Sequence, residues 1–427
     1  MAANDLTAAQ AVAKLACREL TAEAMARACL ERIAEREPLV HAFAHLDPER
    51  VLAQARELDR GAVRGPLHGL PLGVKDVIDT FDAPTEYGSP IYRGHRPAAD
   101  AGCVAIARSL GALILGKTVS TEFATFPPGP TANPRNPAHT PGGSSSGSAA
   151  AVADCMLPLA FGTQTSGSVI RPAAFCGVVG YKPSFGTLPR NGVKLLADSL
   201  DTVGLFACNA EDAALLIFAL TGRAGLPIGH TVPAPRLAVC RTPQWPAAQP
   251  ETSALFEELP GRLSRAGAYV GRLELPASFA GLEAAQGTVW EYEMARNLAD
   301  EFHRHRERMR EPLRGQLAAG WKITPERYDA AKALARDCRR QLADVFAGYD
   351  ALIVPSAPGE APKGLEATGN PVFNRIWTLL HVPAVTVPLT TGPNGLPLGV
   401  QVISRVGDDG RALACAHWLQ ASGQPAV

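Results

Sequence analysis

The sequence predicts an α/β fold in which a large mixed β-sheet is covered by helices on both faces, with a helical insertion. Three observations predict it. From Leu67 onward, short apolar runs alternate with helical segments: GLPLGV, then ADAGCVAIARSL, ALILG, SSSGSAAAVADCM and PLAFGT. Such alternation marks a mixed or parallel sheet, because the crossover helices between strands must lie on its faces. Between about Glu251 and Ala347 the charge density rises and strand patterns become rare, which marks the insertion. Runs rich in Val and Ile return in ALIVPSA, PAVTVPL and LGVQVIS, so the sheet is assembled from both ends of the chain.

The elements follow in order. Residues 6 to 60 carry helical periodicity, with Thr21 as the N-cap of AEAMARACLERIAERE and a second run in PERVLAQARELDR. In the insertion, Thr324-Pro325-Glu326 opens a helix with a cap and a first-turn proline, and Gly348 ends it. No internal repeat or low-complexity linker divides the chain. The expectation is one domain over 1–427: a helical layer (1–60), a core (61–235), the helix-rich insertion (251–347), and closing strands with a helix (348–427).

Bulk properties exclude several classes. With 46% hydrophobic and 19% charged residues the chain can bury a large core. Its 41 basic and 41 acidic residues cancel, which removes any general pull toward nucleic acid or anionic lipid. Nine cysteines without a CxxC pair read as reduced thiols, hence a cytoplasmic protein. The N-terminus lacks the basic-then-apolar order of a signal peptide, and no apolar run is long enough to span a bilayer.

Three segments carry chemistry. In TPGGSSSGSAAAVA, residues 140–153, glycines and serines run straight into an alanine-rich helix, which leaves free N–H groups and several hydroxyls at one place. In Gln164-Thr165-Ser166-Gly167-Ser168-Val169-Ile170-Arg171, small residues let consecutive N–H groups turn toward one spot beside Ser168, where they could stabilise an oxyanion. In Gly73-Val74-Lys75-Asp76-Val77, apolar neighbours can bury Lys75, and burial favours the neutral amine, a base. A serine hydroxyl is a poor nucleophile until a base takes its proton, so two serines and a lysine could form a relay. An ordinary turn at Ser168 and a solvent-reaching Lys75 are the plain alternatives for each segment alone.

Other arrangements fit less well. Gly143-Ser144-Ser145-Ser146-Gly147 matches the GxSxG elbow, with Asp350 and His381 following in order, but the proline-rich stretch before it cannot supply the strand an elbow requires. None of the ten histidines lies in or beside the glycine-serine loops, and His303 and His305 sit in a charged helical stretch better read as a solvated face than a metal pair. Ser-x-x-Lys, P-loop and GxGxxG sequences are absent.

Taken together, the segments resemble the amidase signature family. GPLHGLPLGVKD is similar to its lysine segment, TPGGSSSGSAAAVA to its serine loop, and GTQTSGSVIRPAAFCGVVGYKPSFG to its nucleophile segment. DAGCVAIARSLGALILGKTVSTEFA, SLDTVGLFA and PAVTVPLTTGPNGLPLGVQVI match further family units in the expected order. The resemblance implies the amidase signature fold, with Ser168 as acylating nucleophile, Ser144 as bridging serine after a cis bond from Gly143, and Lys75 as base. It also implies an oxyanion hole at Thr165, Ser166, Gly167 and Ser168. No metal or other cofactor is expected.

Two departures stand out. Many members carry glycine at the position of Ser166 and aspartate at that of Gln164. Arg171 is placed as in malonamidase-like members, where it would clamp a substrate carboxylate; a purely structural role is the alternative. The implied activity is hydrolysis of a small amide, and a homodimer is left open. The other reading is an amidotransferase subunit that works on aminoacyl-tRNA with an ammonia-supplying partner.

Overall fold

Burial decides which strands hold the centre of the sheet. The computed structural model describes residues 2–223 and 233–423. Its strands are β1 (Phe43–Leu46), β2 (Pro71–Lys75), β3 (Leu113–Thr118), β4 (Leu159–Gln164), β5 (Val179–Lys182), β6 (Thr202–Ala207), β7 (Arg236–Arg241), β8 (Tyr269–Glu274), β9 (Ala351–Pro355), β10 (Ala384–Thr391) and β11 (Pro397–Ile403). They form one sheet in the order β1-β3-β2-β4-β6-β5-β10-β11-β9-β7-β8. Every residue of β2, β3, β4, β5, β6 and β9 is buried. Because side chains alternate between faces, full burial means that both faces are covered.

β2 pairs in parallel with β3 on one side and β4 on the other, while β4 meets β6 antiparallel. The sheet is therefore mixed, as the alternating pattern implied. The helix Gly102–Ser109 returns the chain from β2 to β3, and Ser146–Ala153 returns it from β3 to β4. All eight residues of the second helix are buried, which explains its alanine-rich composition. Both crossovers bring loops to the same ends of β2 and β4, where ligands gather in parallel sheets.

The cap assignments agree with the structure. Thr21 accepts a hydrogen bond from Ala24 N at 3.1 Å and starts Ala22–Val40. Thr324 accepts from Arg327 N at 3.4 Å and starts Pro325–Val345. β5, β6 and β7 are not among the strands that the sequence reading names, and two further strands fall in stretches it reads as helical. β1 lies inside the N-terminal helical layer and β8 inside the helix-rich insertion. Both are sheet edges, with half-exposed or exposed residues throughout, so neither carries the apolar run that betrays an interior strand. β8 pairs parallel with β7, and β7 with β9, so the middle of the chain also builds the sheet.

Among the described residues no helix is long and apolar enough to cross a membrane, no acidic, histidine or cysteine group could hold a metal, and all nine cysteines are free.

Gly147 shows how tightly the serine loop is set into this frame. A Cβ there would lie 2.1 Å from Ala42 O and 2.3 Å from Val119 N, both backbone atoms that cannot swing aside. Gly147→Ala should therefore destabilise the protein by about 3 kcal/mol. Urea unfolding checks this, and a loss under about 1 kcal/mol would mean that the packing here is looser than described.

Candidate active site

Lys75 ends β2 and is fully buried. Its Nζ donates to Ser144 Oγ at 2.7 Å and to Thr163 Oγ1, on neighbouring β4, at 2.8 Å. Burial penalises the ammonium form and pulls the pKa down to about 7; the charge of Asp201 opposes this. Two other lysines on interior strands are equally buried. Lys117 has an acid, Asp76, at 3.5 Å, besides Ile78 O and Thr85 Oγ1. Lys182 donates to the carbonyls of Pro183 and Val382, and burial brings its pKa to about 7 as well. What sets Lys75 apart is its partners: two hydroxyls, which can hand over a proton.

The serine loop sorts its hydroxyls by partner. Ser145 Oγ donates to Thr163 O at 3.2 Å, Ser146 Oγ to Val119 O at 3.3 Å and Ser148 Oγ to Phe161 O at 2.8 Å. Those three hold backbone. Ser144 alone of the four meets the lysine, and the Gly143–Ser144 peptide is cis. Ser145 N donates to Ser168 O at 3.4 Å, which lays the serine loop against the segment after β4.

That segment is braced from three directions. Gln164 Oε1 accepts from Val169 N at 2.9 Å and Ile170 N at 3.0 Å, while its Nε2 donates to Thr378 Oγ1 at 2.9 Å. Thr378 Oγ1 donates to Ser166 O at 2.8 Å. Gln286 Nε2 reaches Thr165 O at 3.2 Å and Ser166 Oγ at 2.8 Å. Thr165 Oγ1 donates to the buried carboxylate of Asp201, which also accepts from Leu196 N and Ala197 N; burial raises its pKa to about 6. The N–H groups of Ser166, Gly167 and Ser168 donate to no other described residue. Ser168 lines a small pocket with Thr165, Ser166, Gly167, Arg171, Phe126, Leu196, Trp290 and Pro371.

The two departures find partners here. Ser166 does not take a left-handed backbone, so glycine's freedom is not required at that position. Gln164 accepts the two N–H bonds at the start of Ile170–Cys176 without a charge, and its amide adds the link to Thr378. Gly167 is where glycine is needed: a Cβ would lie 2.3 Å from Asn374 Oδ1 and 2.9 Å from Pro371 Cβ. Sequence reasoning missed Thr163, Gln286, Thr378 and Asp201. Gln286 and Thr378 come from remote segments, while Thr163 and Asp201 lie inside PLAFGT and SLDTVGLFA, runs already singled out, where nothing local marks them as partners of Lys75 and Thr165.

Arg171 is buried, and its Nη2 donates to Gly143 O at 2.7 Å and Thr368 Oγ1 at 3.1 Å. Its Nε and Nη1 are buried without a partner among the described residues. Burial, with the charge of Arg375, lowers its pKa to about 9. One edge of the guanidinium thus holds the serine loop and the rest is uncommitted.

The elbow arrangement does not exist. Ser145 is committed to backbone, Asp350 accepts from Arg236 N and Arg411, and His381 bonds Ser199 O at 2.7 Å while stacking on Phe185. Burial and Arg339 push the His381 pKa to about 3, which leaves it neutral and committed away from the serine loop. His303 packs on Trp321.

The fold belongs to a class of amide-processing enzymes, and the chain is a member of the amidase family, whose model matches residues 24–413. It is 34% identical to a glutamyl-tRNA(Gln) amidotransferase subunit from Acidothermus cellulolyticus, covering 97% of this chain and 94% of that protein. The fold matches the crystal structure of an amidase with a TM-score of 0.88 at 31% identity, over 98% of this chain and 100% of the other. It matches the corresponding glutamyl-tRNA(Gln) amidotransferase subunit from Thermotoga maritima with a TM-score of 0.79 at 29% identity, over 97% and 94%. The protein is thus an enzyme of amide C–N bonds, by hydrolysis or by transfer.

Gln164 provides a test of the bracing. Gln164→Ala orphans two buried N–H groups and should cost about 2 kcal/mol in urea unfolding. Gln164→Glu, which keeps both acceptor bonds, should lose less; equal losses would show that the acceptor bonds are not what matters.

Proposed function

We propose that the chain cleaves an amide through an acyl-enzyme on Ser168, with Ser144 as bridge and Lys75 as base. The observation that carries this is the buried amine of Lys75, 2.7 Å from a serine hydroxyl and brought to a pKa of about 7. Neutral Lys75 takes a proton from Ser144, which takes one from Ser168 as Ser168 Oγ attacks the carbonyl carbon. The oxyanion forms against the N–H groups of Thr165, Ser166, Gly167 and Ser168, the loop that Gln164, Gln286 and Asp201 brace. Ser144 then returns a proton to the leaving nitrogen, the C–N bond breaks and ammonia departs. Water attacks the acyl-enzyme along the same relay.

The fate of the ammonia separates two readings. In the first, it leaves to solvent and the chain is a hydrolase of a small amide bearing a carboxylate, which the uncommitted atoms of Arg171 favour. In the second, the chain is an amidotransferase subunit working on aminoacyl-tRNA beside partner chains. The sequence relatives support the second reading better, since those compared bear that name over nearly their whole length. The tighter superposition on an amidase supports the first. Glutamine-dependent activity and co-purified subunits would favour the second reading, whereas ammonia release by the isolated chain is compatible with both.

Ser168→Ala should abolish both turnover and labelling by a fluorophosphonate probe while the fold survives; undiminished turnover would reject Ser168. In the wild type, kcat/KM should be low below about pH 7 and rise to a plateau above it, because the working form of Lys75 is unprotonated. A profile that falls across that range would point to a protonated acid instead. Arg171→Ala should raise KM for carboxylated amides by about tenfold and leave neutral amides less affected. Equal effects on both would leave Arg171 only its bonds to Gly143 and Thr368.

A further inference from the structure

Two elements outside the signature loops dock on the Ser168 segment and bring uncommitted donors with them. The first is the helix Leu282–Asn297. Gln286 fastens it to Thr165 O and Ser166 Oγ, and Trp290 lies one turn further along the same face, where it lines the Ser168 pocket. Trp290 is 6% exposed and its Nε1 is buried without a partner among the described residues. Phe126 packs edge-on against the indole at 5.4 Å and fixes the ring in place.

The second is the helix Arg375–Leu379. Thr378 fastens it to Gln164 and Ser166 O, and Asn374 with Pro371 fills the space beside Gly167. Arg375 therefore starts a helix seated against the Ser168 segment, and its charge reaches Arg171. Its Nε is buried and unpartnered among the described residues. Neither Arg171 nor Arg375 forms an ion pair there; Glu291, whose charge also interacts with Arg375 and Arg327, stays beyond that range. Two neighbouring guanidiniums without a paired acid repel each other, and buried donors without acceptors cost about 1–3 kcal/mol each. A ligand carboxylate, which accepts through both oxygens and carries a negative charge, relieves both penalties; a carboxamide accepts through one oxygen only and leaves the guanidiniums' repulsion uncompensated.

We propose that Trp290 and Arg375 complete a carboxylate site with Arg171, so that the pocket selects amides whose far end is anionic. This rests on reading the Ser168 pocket as the acyl site, and it assigns specificity to the helical insertion. Trp290 donates to the carboxylate; Arg375 supplies the second positive charge.

The test uses succinamate and succinamide, which differ only in a carboxylate against a carboxamide, bound to the full-length Ser168→Ala chain and followed by calorimetry. The expected preference for succinamate is about a hundredfold, and Trp290→Phe and Arg375→Gln should each reduce it by about tenfold. Arg375→Lys should retain most of it, because the charge is kept. Equal affinity for the two amides, binding of neither at millimolar concentration, or an unchanged preference in either variant overturns the proposal. The catalytic reading fails separately: if wild-type Ser168 is neither acylated by a fluorophosphonate nor able to release ammonia while the preferences behave as expected, the carboxylate site stands and the relay falls.

Discussion

A buried, acid-free amine at the end of β2 is the constraint on which the rest of this structure depends. Removing an ammonium from water costs several kcal/mol unless a charge or a change of protonation relieves it. Lys117 takes the first route, through Asp76. Lys75 is left with two hydroxyls at 2.7 and 2.8 Å, and the distant charge of Asp201 only partly offsets burial. With its pKa brought to about 7, the amine becomes neutral as the pH rises through that value. Such a group can be held in place only by a rigid surround, and β2, clasped in parallel between β3 and β4 and buried along its length, provides one.

How much of this could be read from the sequence depends on where the information lies. Many interior strands declare themselves, because covered faces demand apolar residues; β2, β3, β4, β9, β10 and β11 were legible for that reason, whereas β5, β6 and β7 were not read as strands although they too lie inside the sheet. The edge strands β1 and β8 were not, since one side of each meets solvent and their residues alternate without an apolar face. The serine loop, the Ser168 segment and Lys75 were legible as unusual local compositions. What the local sequence could not show was which of Ser144, Ser145, Ser146 and Ser148 faces the lysine, because that choice is set by the backbone turn at Gly143 and by carbonyls on β4 and at Val119, just past β3. Gln286, Thr378 and Asp201 were invisible on similar grounds. Their partners lie far away in the chain, and nothing in a glutamine's own neighbourhood announces a contact of that length.

The Ser168 segment is also where two design problems meet. On the proposed reading three adjacent N–H groups must stay free for a reacting oxygen, yet a loop of small residues is entropically costly to hold still. The chain solves this by gripping the loop through its other groups: the carbonyls of Thr165 and Ser166, the hydroxyls of Thr165 and Ser166, and the N–H groups of Val169 and Ile170. Gln164 serves the same end without a charge, through the N–H groups of Val169 and Ile170.

Gln164 and Asp201 brace the loop from the core, while Gln286 and Thr378 come from the helix-rich insertion and the closing part of the chain, which couples substrate choice to chemistry. Lys75 ends a strand at the sheet centre and Ser144 and Ser168 lie in the loops that lead into the helices Ser146–Ala153 and Ile170–Cys176, whereas other parts of the Ser168 pocket come from Leu282–Asn297 and Pro371. On the proposed reading, a change in the insertion reshapes the pocket without moving the amine, but not freely, because Gln286 on the same helix holds the loop beside Ser168. Substitutions at Trp290 would then act on what is bound and substitutions one turn earlier on how fast it reacts, so that a single helix face carries both.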